Sequence, residues 1–240
     1  MKISTWNVNS VNARIEHLEK FIKKDQSDIY LLQELKTIED GFPKEIIKNA
    51  GYYSYVNGQK AWNGVAILSK EKLEITNTSI PKYDDPNARF IETEIQLKKI
   101  KNKIKLINIY LPNGNPIETE KFDYKIKWMK KFNSYIQGLK DKNIPIIISG
   151  DFNVIPTDDD VYSPENFKND ACTHPLTREQ YRILINMGFT DLVKHFVEGK
   201  TNWTFWGYRG GGWQKGNGLR IEHFLTTANV TDLVKNVTVN

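Results

Sequence analysis

Cysteine is nearly absent from this chain. Cys172 is the only one in 240 residues, which excludes an internal disulfide and a cysteine-built zinc site. This suits a reducing cytoplasm, and Cys172 reads as a small packing residue. Long apolar runs are also missing. The longest are strand-length, too short for a membrane-spanning helix. No Gly/Ser-rich or Pro-rich linker, low-complexity block or internal repeat interrupts the chain, and one domain over residues 1–240 is expected. Met1-Lys2-Ile3 leads directly into a strand-like segment, so no signal peptide is expected. Arginine is scarce, with 6 against 28 lysines. The net charge of +5 is modest, and a pI near 9.0 is compatible with a polyanionic partner without singling one out.

What the chain does have is polar residues at the ends of apolar runs. Ile144-Pro145-Ile146-Ile147-Ile148-Ser149 reads as a buried strand leading into Gly150-Asp151-Phe152-Asn153. Asp151 and Asn153 are two residues apart and share a face of an extended chain. A carboxylate and an amide so placed can serve a hard cation, a phosphate oxygen and a water. An Asp-Asn turn that merely closes a core strand has the same residues. Lys2 to Asn7 reads as another strand, and Asp28-Ile29-Tyr30-Leu31-Leu32-Gln33-Glu34 as a third. Between them, Ile15, Leu18, Phe21 and Ile22 have the spacing of one helix face. This strand-helix-strand unit would place Asn7 and Glu34 at neighbouring strand ends. A helix N-cap and a charged loop start are the plain alternatives. A fourth strand ends in Tyr110-Leu111-Pro112-Asn113-Gly114, where Pro112 stops it and Asn113-Gly114 turns the chain. There Tyr110 can either donate to a phosphate or cover the core.

Taken in order, these segments resemble a known family. Trp6-Asn7-Val8-Asn9-Ser10, Leu32-Gln33-Glu34, Trp62-Asn63-Gly64-Val65-Ala66-Ile67, Asn108-Ile109-Tyr110-Leu111-Pro112-Asn113-Gly114, Gly150-Asp151-Phe152-Asn153, and Tyr208-Arg209 through Gly218-Leu219-Arg220-Ile221 are similar to motifs of the exonuclease III family of abasic-site (AP) endonucleases. That family sits within the endonuclease/exonuclease/phosphatase superfamily. The resemblance implies a deoxyribonuclease I-like α/β fold, a four-layer α/β sandwich of two packed mixed β-sheets flanked by helices. The residue pattern agrees with a layered sandwich. Strand-like segments fall near 2–8, 28–33, 52–56, 63–69, 73–78, 89–97, 104–111, 145–150, 203–206, 219–226 and 233–238, and helix-like segments near 11–24, 42–49, 119–139 and 177–188.

The resemblance also implies an activity. It is that of a monomeric, Mg²⁺-dependent DNA repair nuclease, with Mn²⁺ able to substitute. Its substrate is double-stranded DNA, cleaved 5′ of abasic sites and trimmed from 3′ ends. Glu34 is expected to hold the metal, with Asn7 at the metal's water shell or the phosphate. Asp151 would orient or deprotonate the attacking water, Asn153 would bind a phosphate oxygen, and Tyr110 would donate to the phosphate or the leaving oxygen. Expected DNA contacts are Arg89, Asn113, Phe205, Trp206, Arg209, Trp213 and Arg220. Phe205 and Trp206 match the family's aromatic pair around the abasic sugar, although a role as strand core for Trp203 and Phe205 stays open. Gly207 stands where the family usually has Asp.

The C-terminal part departs most from the family pattern. The usual Arg-Ile-Asp is Arg220-Ile221-Glu222, so Glu222 takes the catalytic position of the family aspartate that supports a His. The Ser-Asp-His motif supplying that His does not occur before Val237-Thr238-Val239-Asn240. The expectation is therefore a fragment lacking a closing strand and the catalytic His. His223 adjoins Glu222, and on a strand it would face the opposite way, into packing. Two other readings stay open: a catalytically impaired DNA-binding relative, and a superfamily phosphodiesterase or phosphatase acting on another phosphate ester.

Overall fold

The computed structural model describes residues 1–199, 202–207 and 211–239. Its elements in chain order are β1 (Ile3–Asn7), α1 (Ile15–Asp25), β2 (Ile29–Gln33), α2 (Lys44–Asn49), β3 (Tyr53–Asn57), β4 (Val65–Ser69), β5 (Ile75–Asn77), β6 (Phe90–Ile95), β7 (Ile104–Tyr110), α3 (Glu120–Lys140), β8 (Ile146–Asp151), α4 (Pro175–Asn186), β9 (Phe189–Asp191), α5 (Leu192–Phe196), β10 (Phe205–Trp206), β11 (Gly218–Leu219), β12 (Glu222–Thr227) and α6 (Ala228–Thr231). The strands form a four-stranded sheet, β1-β2-β4-β3, a six-stranded sheet, β5-β6-β7-β8-β12-β9, and a small pair, β10-β11. In the first sheet β1 and β2 are parallel, and β4 is antiparallel to both its neighbours. This is the expected α/β fold of two mixed sheets flanked by helices. Contacts divide the chain into two units, residues 1–110 with 148–151, and residues 111–147 with 152–240.

In the first unit the continuous apolar runs bury β2 and β4 on both faces. On one face lies α1, whose Leu18 and Ile22 join Tyr30, Leu32, Ala66 and Leu68, with Ile15 and Phe21 partly buried beside them. The expected helix stripe is thus the face that packs. On the other face the contact with β7 is polar at one point. Asn108 is fully buried; its amide donates to the carbonyls of Leu32 (3.0 Å) and Ala66 (2.9 Å) and accepts from Gln33 Nε2 (2.7 Å). Gln33 also donates to Thr5 Oγ1 at 2.9 Å. Leaving one such buried group unpaired costs about 1–3 kcal/mol, so the network fixes the register of β7 against β2 and β4.

In the second unit α3 buries Phe122, Ile126, Met129, Phe132, Ile136 and Leu139, with Trp128 stacked on Phe132. Asn133 on α3 donates to the Gln180 carbonyl on α4 at 3.0 Å. A buried charge network also lies in this unit. Arg220 Nε donates to Asp160 Oδ1 and Arg220 Nη1 reaches Asp191 Oδ2, each at 2.8 Å. The same Nη1 contacts His223 Nδ1 at 2.8 Å, while His223 Nε2 lies 2.9 Å from the Val154 carbonyl. Tyr181 donates to Asp191 at 2.8 Å. Arg220 is 1% exposed, which corrects its reading as a DNA contact: its guanidinium ties Asp160, Asp191 at the end of β9 and His223 on β12 together internally. His223 is a packing residue, as expected.

Three boundaries differ from the sequence expectation. The strand foreseen near 203–206 shrinks to Phe205–Trp206, and the one near 219–226 is split at Arg220 and Ile221 into β11 and β12. No strand forms near 233–238; none of residues 231–239 is buried, so the Val-Thr-Val alternation meets no core face. β9, α5 and α6 were not foreseen, being 3, 5 and 4 residues long.

His223 donates through Nε2 and accepts at Nδ1 from Arg220, so it is neutral. Burial, then the Arg220 charge, lowers its pKa to about 4. In the unfolded chain it titrates near about 6.5. Between these values the unfolded state binds more protons, so stability is full above the upper one and declines as pH falls toward the lower. Asp160 is partly raised by burial, but Arg220 outweighs that and lowers it to about 2, adding a loss at more acid pH. Urea midpoints between pH 7 and 4 for the wild type and His223→Gln test this. The variant should be less stable at pH 7 and show a flatter decline. Parallel profiles would refute it.

Candidate active site

The first unit brings four strand ends to one place. β1 and β2 are parallel with Asn7 opposite Gln33, so the next residue of β2's chain, Glu34, comes beside Asn7. The Asn7 amide nitrogen donates to Glu34 Oε2 at 2.9 Å and to Asp151 Oδ2 at 2.8 Å. Its oxygen accepts from the Asn9 N–H at 3.0 Å. The amide nitrogen therefore joins the two carboxylates, while its oxygen is taken by the Asn9 N–H. Asp151 is 2% exposed at the end of β8. Tyr110 ends β7, close enough to Asp151 and Glu34 for their charges to act on its phenol. Lys36 Nζ pairs with Glu34 Oε1 at 2.8 Å and donates to Asn9 Oδ1 at 2.6 Å. The Arg89 guanidinium lies 5.0 Å from the Tyr110 ring centroid and donates to the Tyr110 carbonyl at 3.1 Å.

Backbone constraints hold these ends. A Cβ on Gly150, whose φ is +138°, would lie 2.0 Å from the Ile109 carbonyl oxygen. Only glycine allows that approach, and the two strands next deliver Asp151 and Tyr110. Asn9, Ser10, Glu34 and Lys36 all adopt positive φ without being glycine. Such strain gathers where surrounding structure fixes side chains for use.

Two carboxylates and a phenol form a hard, oxygen-rich set. Mg²⁺ is held through one or two carboxylates and keeps its waters, so Glu34 and Asp151 fit it. No group of three or more His, Cys, Asp or Glu is gathered among the described residues. Burial, then the charges of Asp151 and Glu34, push the Tyr110 phenol well above its ordinary value, against the opposing pull of Arg89. Tyr110 is thus a proton donor.

The second unit carries the remaining expected residues. Asn153, 5% exposed with φ +46°, donates to the Leu111 carbonyl at 2.9 Å and accepts from Asn113 Nδ2 at 3.0 Å. Buried Lys125 donates to the carbonyls of Asn153 (2.6 Å) and Asn113 (2.9 Å). Glu222 is 8% exposed, its N–H 3.2 Å from Thr204 Oγ1. Phe205 is half-buried against Ile155, Val161, Cys172, Leu219 and Ile221. Trp206 meets the exposed Trp213 edge-on at 4.4 Å. Arg209 lies outside the described residues. Lys36 and Lys125 were missed. Lys36 stands two residues after Glu34, a same-face signal that could have been used, whereas nothing in a lysine-rich chain marks Lys125 as buried.

Converging carboxylates, a protonated phenol and flanking cations suit hydrolysis of an anionic ester. The profile of the Endonuclease/Exonuclease/phosphatase family matches residues 4–237. Exodeoxyribonuclease III of Haemophilus influenzae is 32% identical over 97% of this chain and 90% of its own length. The DNA-(apurinic or apyrimidinic site) endonuclease of Dictyostelium discoideum is 29% identical over 98% of this chain and 64% of its own. Among solved structures, the 3′ phosphatase NExo from Neisseria, bound to product DNA hairpin, superposes with a TM-score of 0.91 at 31% identity, covering 98% of this chain and 90% of that one. An AP endonuclease from Archaeoglobus fulgidus gives 0.89 at 32% identity, covering 97% and 88%. The chain belongs to the endonuclease/exonuclease/phosphatase family, in its exonuclease III and AP endonuclease group. No helix among the described residues is long and apolar enough to cross a membrane.

Tyr110 should stay protonated where an exposed tyrosine, with its pKa of about 10, ionises. Tyrosinate absorbance of the wild type and Tyr110→Phe should coincide through that range. An extra titrating group in the wild type would contradict it.

Proposed function

We propose that this chain is a Mg²⁺-dependent DNA repair nuclease that cleaves phosphodiesters 5′ of abasic sites and removes nucleotides from 3′ ends of duplex DNA. The observation that carries the reading is the single Asn7 amide shared by Glu34 and Asp151, with the Tyr110 phenol under the influence of both carboxylates. When bound, the cation would supply charge neutralisation at the phosphate. Glu34 would hold it. Asp151 accepts a proton from the attacking water, and Asn7 keeps its carboxylate aimed. Tyr110 donates to a phosphate oxygen or the departing oxygen. Asn153 and Asn113 offer amides to the phosphate, and Arg89 keeps Tyr110 in place. Phe205, Trp206 and Trp213 give aromatic surface to the DNA, and Glu222 stands at the position of the family aspartate. The single, buried Cys172 accords with a reducing cytoplasm, and the family resemblance with a monomer.

A second reading is removal of 3′ phosphates, favoured by the likeness to NExo. It uses the same groups on a terminal ester.

Incision of a labelled duplex carrying a tetrahydrofuran abasic analogue, beside a duplex ending in a 3′ phosphate, tests both. Mg²⁺ should support cleavage and EDTA abolish it. Glu34→Gln and Asp151→Asn should each lower the bound-state rate at least about 100-fold. Cleavage of the 3′ phosphate alone would favour the second reading. Binding without cleavage of either substrate would point to a non-catalytic relative.

A further inference from the structure

At 76% exposure, Trp62 is the most exposed large hydrophobic side chain among the described residues. Single exposed apolar residues are ordinary. This one differs because the chain is strained to present it. Ala61 and Trp62 are consecutive non-glycine residues, each at φ +58°. Conformations of this kind persist only where the surroundings impose them. Here the turn is clamped on both sides. Asn63 N–H bonds the Ala61 carbonyl (2.7 Å), Lys36 N–H the Asn63 carbonyl (2.8 Å), and Gly64 N–H the Ala88 carbonyl (3.0 Å). The Asn63 side chain, 4% exposed, donates to Gln59 (3.0 Å) and Asn87 (3.1 Å). A rigid turn thus holds a bare indole in solvent.

Its position is as specific as its exposure. Lys36 Nζ lies 6.0 Å from the Trp62 ring centroid and 2.8 Å from Glu34 Oε1. One ammonium therefore stands between the indole and the site carboxylate. The indole is within about three nucleotide steps of 3.4 Å from that carboxylate. A π-face next to a cation matches a base next to its phosphate. In an intact duplex both faces of each base are covered by neighbours, so a ring on a fixed turn finds a free face only where the stack is interrupted.

Building on the nuclease reading, we propose that Trp62 is a positioning residue that stacks on the base left uncovered beside an abasic gap or strand end. It holds the interrupted strand against the Glu34 carboxylate and lets an unbroken duplex go.

The test uses the full chain in EDTA, with a duplex carrying a tetrahydrofuran gap flanked by 2-aminopurine. Trp62→Ala should weaken binding roughly 5- to 150-fold, and Trp62→Phe should restore most of it. The slope of log Kd against log salt should not change, because no charge is lost. Wild type and Trp62→Phe should quench 2-aminopurine, and Trp62→Ala should not. Melting temperature and affinity for intact duplex should be equal in all three. Equal affinity of Trp62→Ala for the gapped duplex, or unaltered 2-aminopurine signal, would overturn the stacking role alone. A wild type that hydrolyses a small phosphodiester yet binds no DNA would overturn the nuclease reading and the stacking role together.

Discussion

Two carboxylates held at one amide group set the terms for the rest of the site. Glu34 and Asp151 are both anionic acceptors, and like charges at close range repel. The Asn7 amide has two protons, and each goes to one carboxylate. Its oxygen is fixed by the Asn9 N–H, so the group cannot turn without losing three bonds. An aspartate at position 7 would add a third negative charge, and an apolar residue would leave two acceptors facing one another. This single side chain therefore determines that the ends of β1, β2 and β8 converge with their polar atoms inward.

That convergence is supported from below by packing that leaves no slack. Asn108 and Gln33 hold β7 to β2 and β4 through buried hydrogen bonds. Gly150 lets β8 approach β7 closer than any side chain permits. Register and proximity together carry Tyr110 and Asp151 to the carboxylate pair. The positive-φ residues then fall in the loops just beyond the strand ends, where Asn9, Ser10, Glu34 and Lys36 turn the chain sharply. Strain lies outside the regular hydrogen-bonded ladder, so the sheets stay intact while the loops are fixed.

This division also explains what could be read from sequence. Buried strands announce themselves as apolar runs, and β2, β4, β7 and β8 were foreseen within a residue or two. Asn7, Glu34, Tyr110 and Asp151 were legible because each follows such a run. Elements that depend on tertiary context were not. The Val-Thr-Val near the C-terminus has strand periodicity, yet none of residues 231–239 is buried. Arg220 carries the residue type of a phosphate contact, but Asp160 and Asp191 lie on distant stretches of chain and only folding brings them to it. Lys125 is one lysine among many, and its burial depends on carbonyls of the turns at Asn113 and Asn153.

Charge balance in the first unit completes the argument. Glu34 pairs with Lys36, Asp151 with the Asn7 amide, and Arg89 lies against Tyr110. The placement is not symmetric. Lys36 contacts Glu34 directly, while Arg89 lies against the Tyr110 ring. Tyr110 is buried beside two negative groups, and the nearby guanidinium does not reverse their effect, so its proton stays on. The site thus gathers a protonated phenol, two cations and two carboxylates, a set that suits an anionic ester. The Lys36 ammonium belongs both to that set and to the Trp62 turn. The indole edge is thus linked through Lys36 to the Glu34 carboxylate.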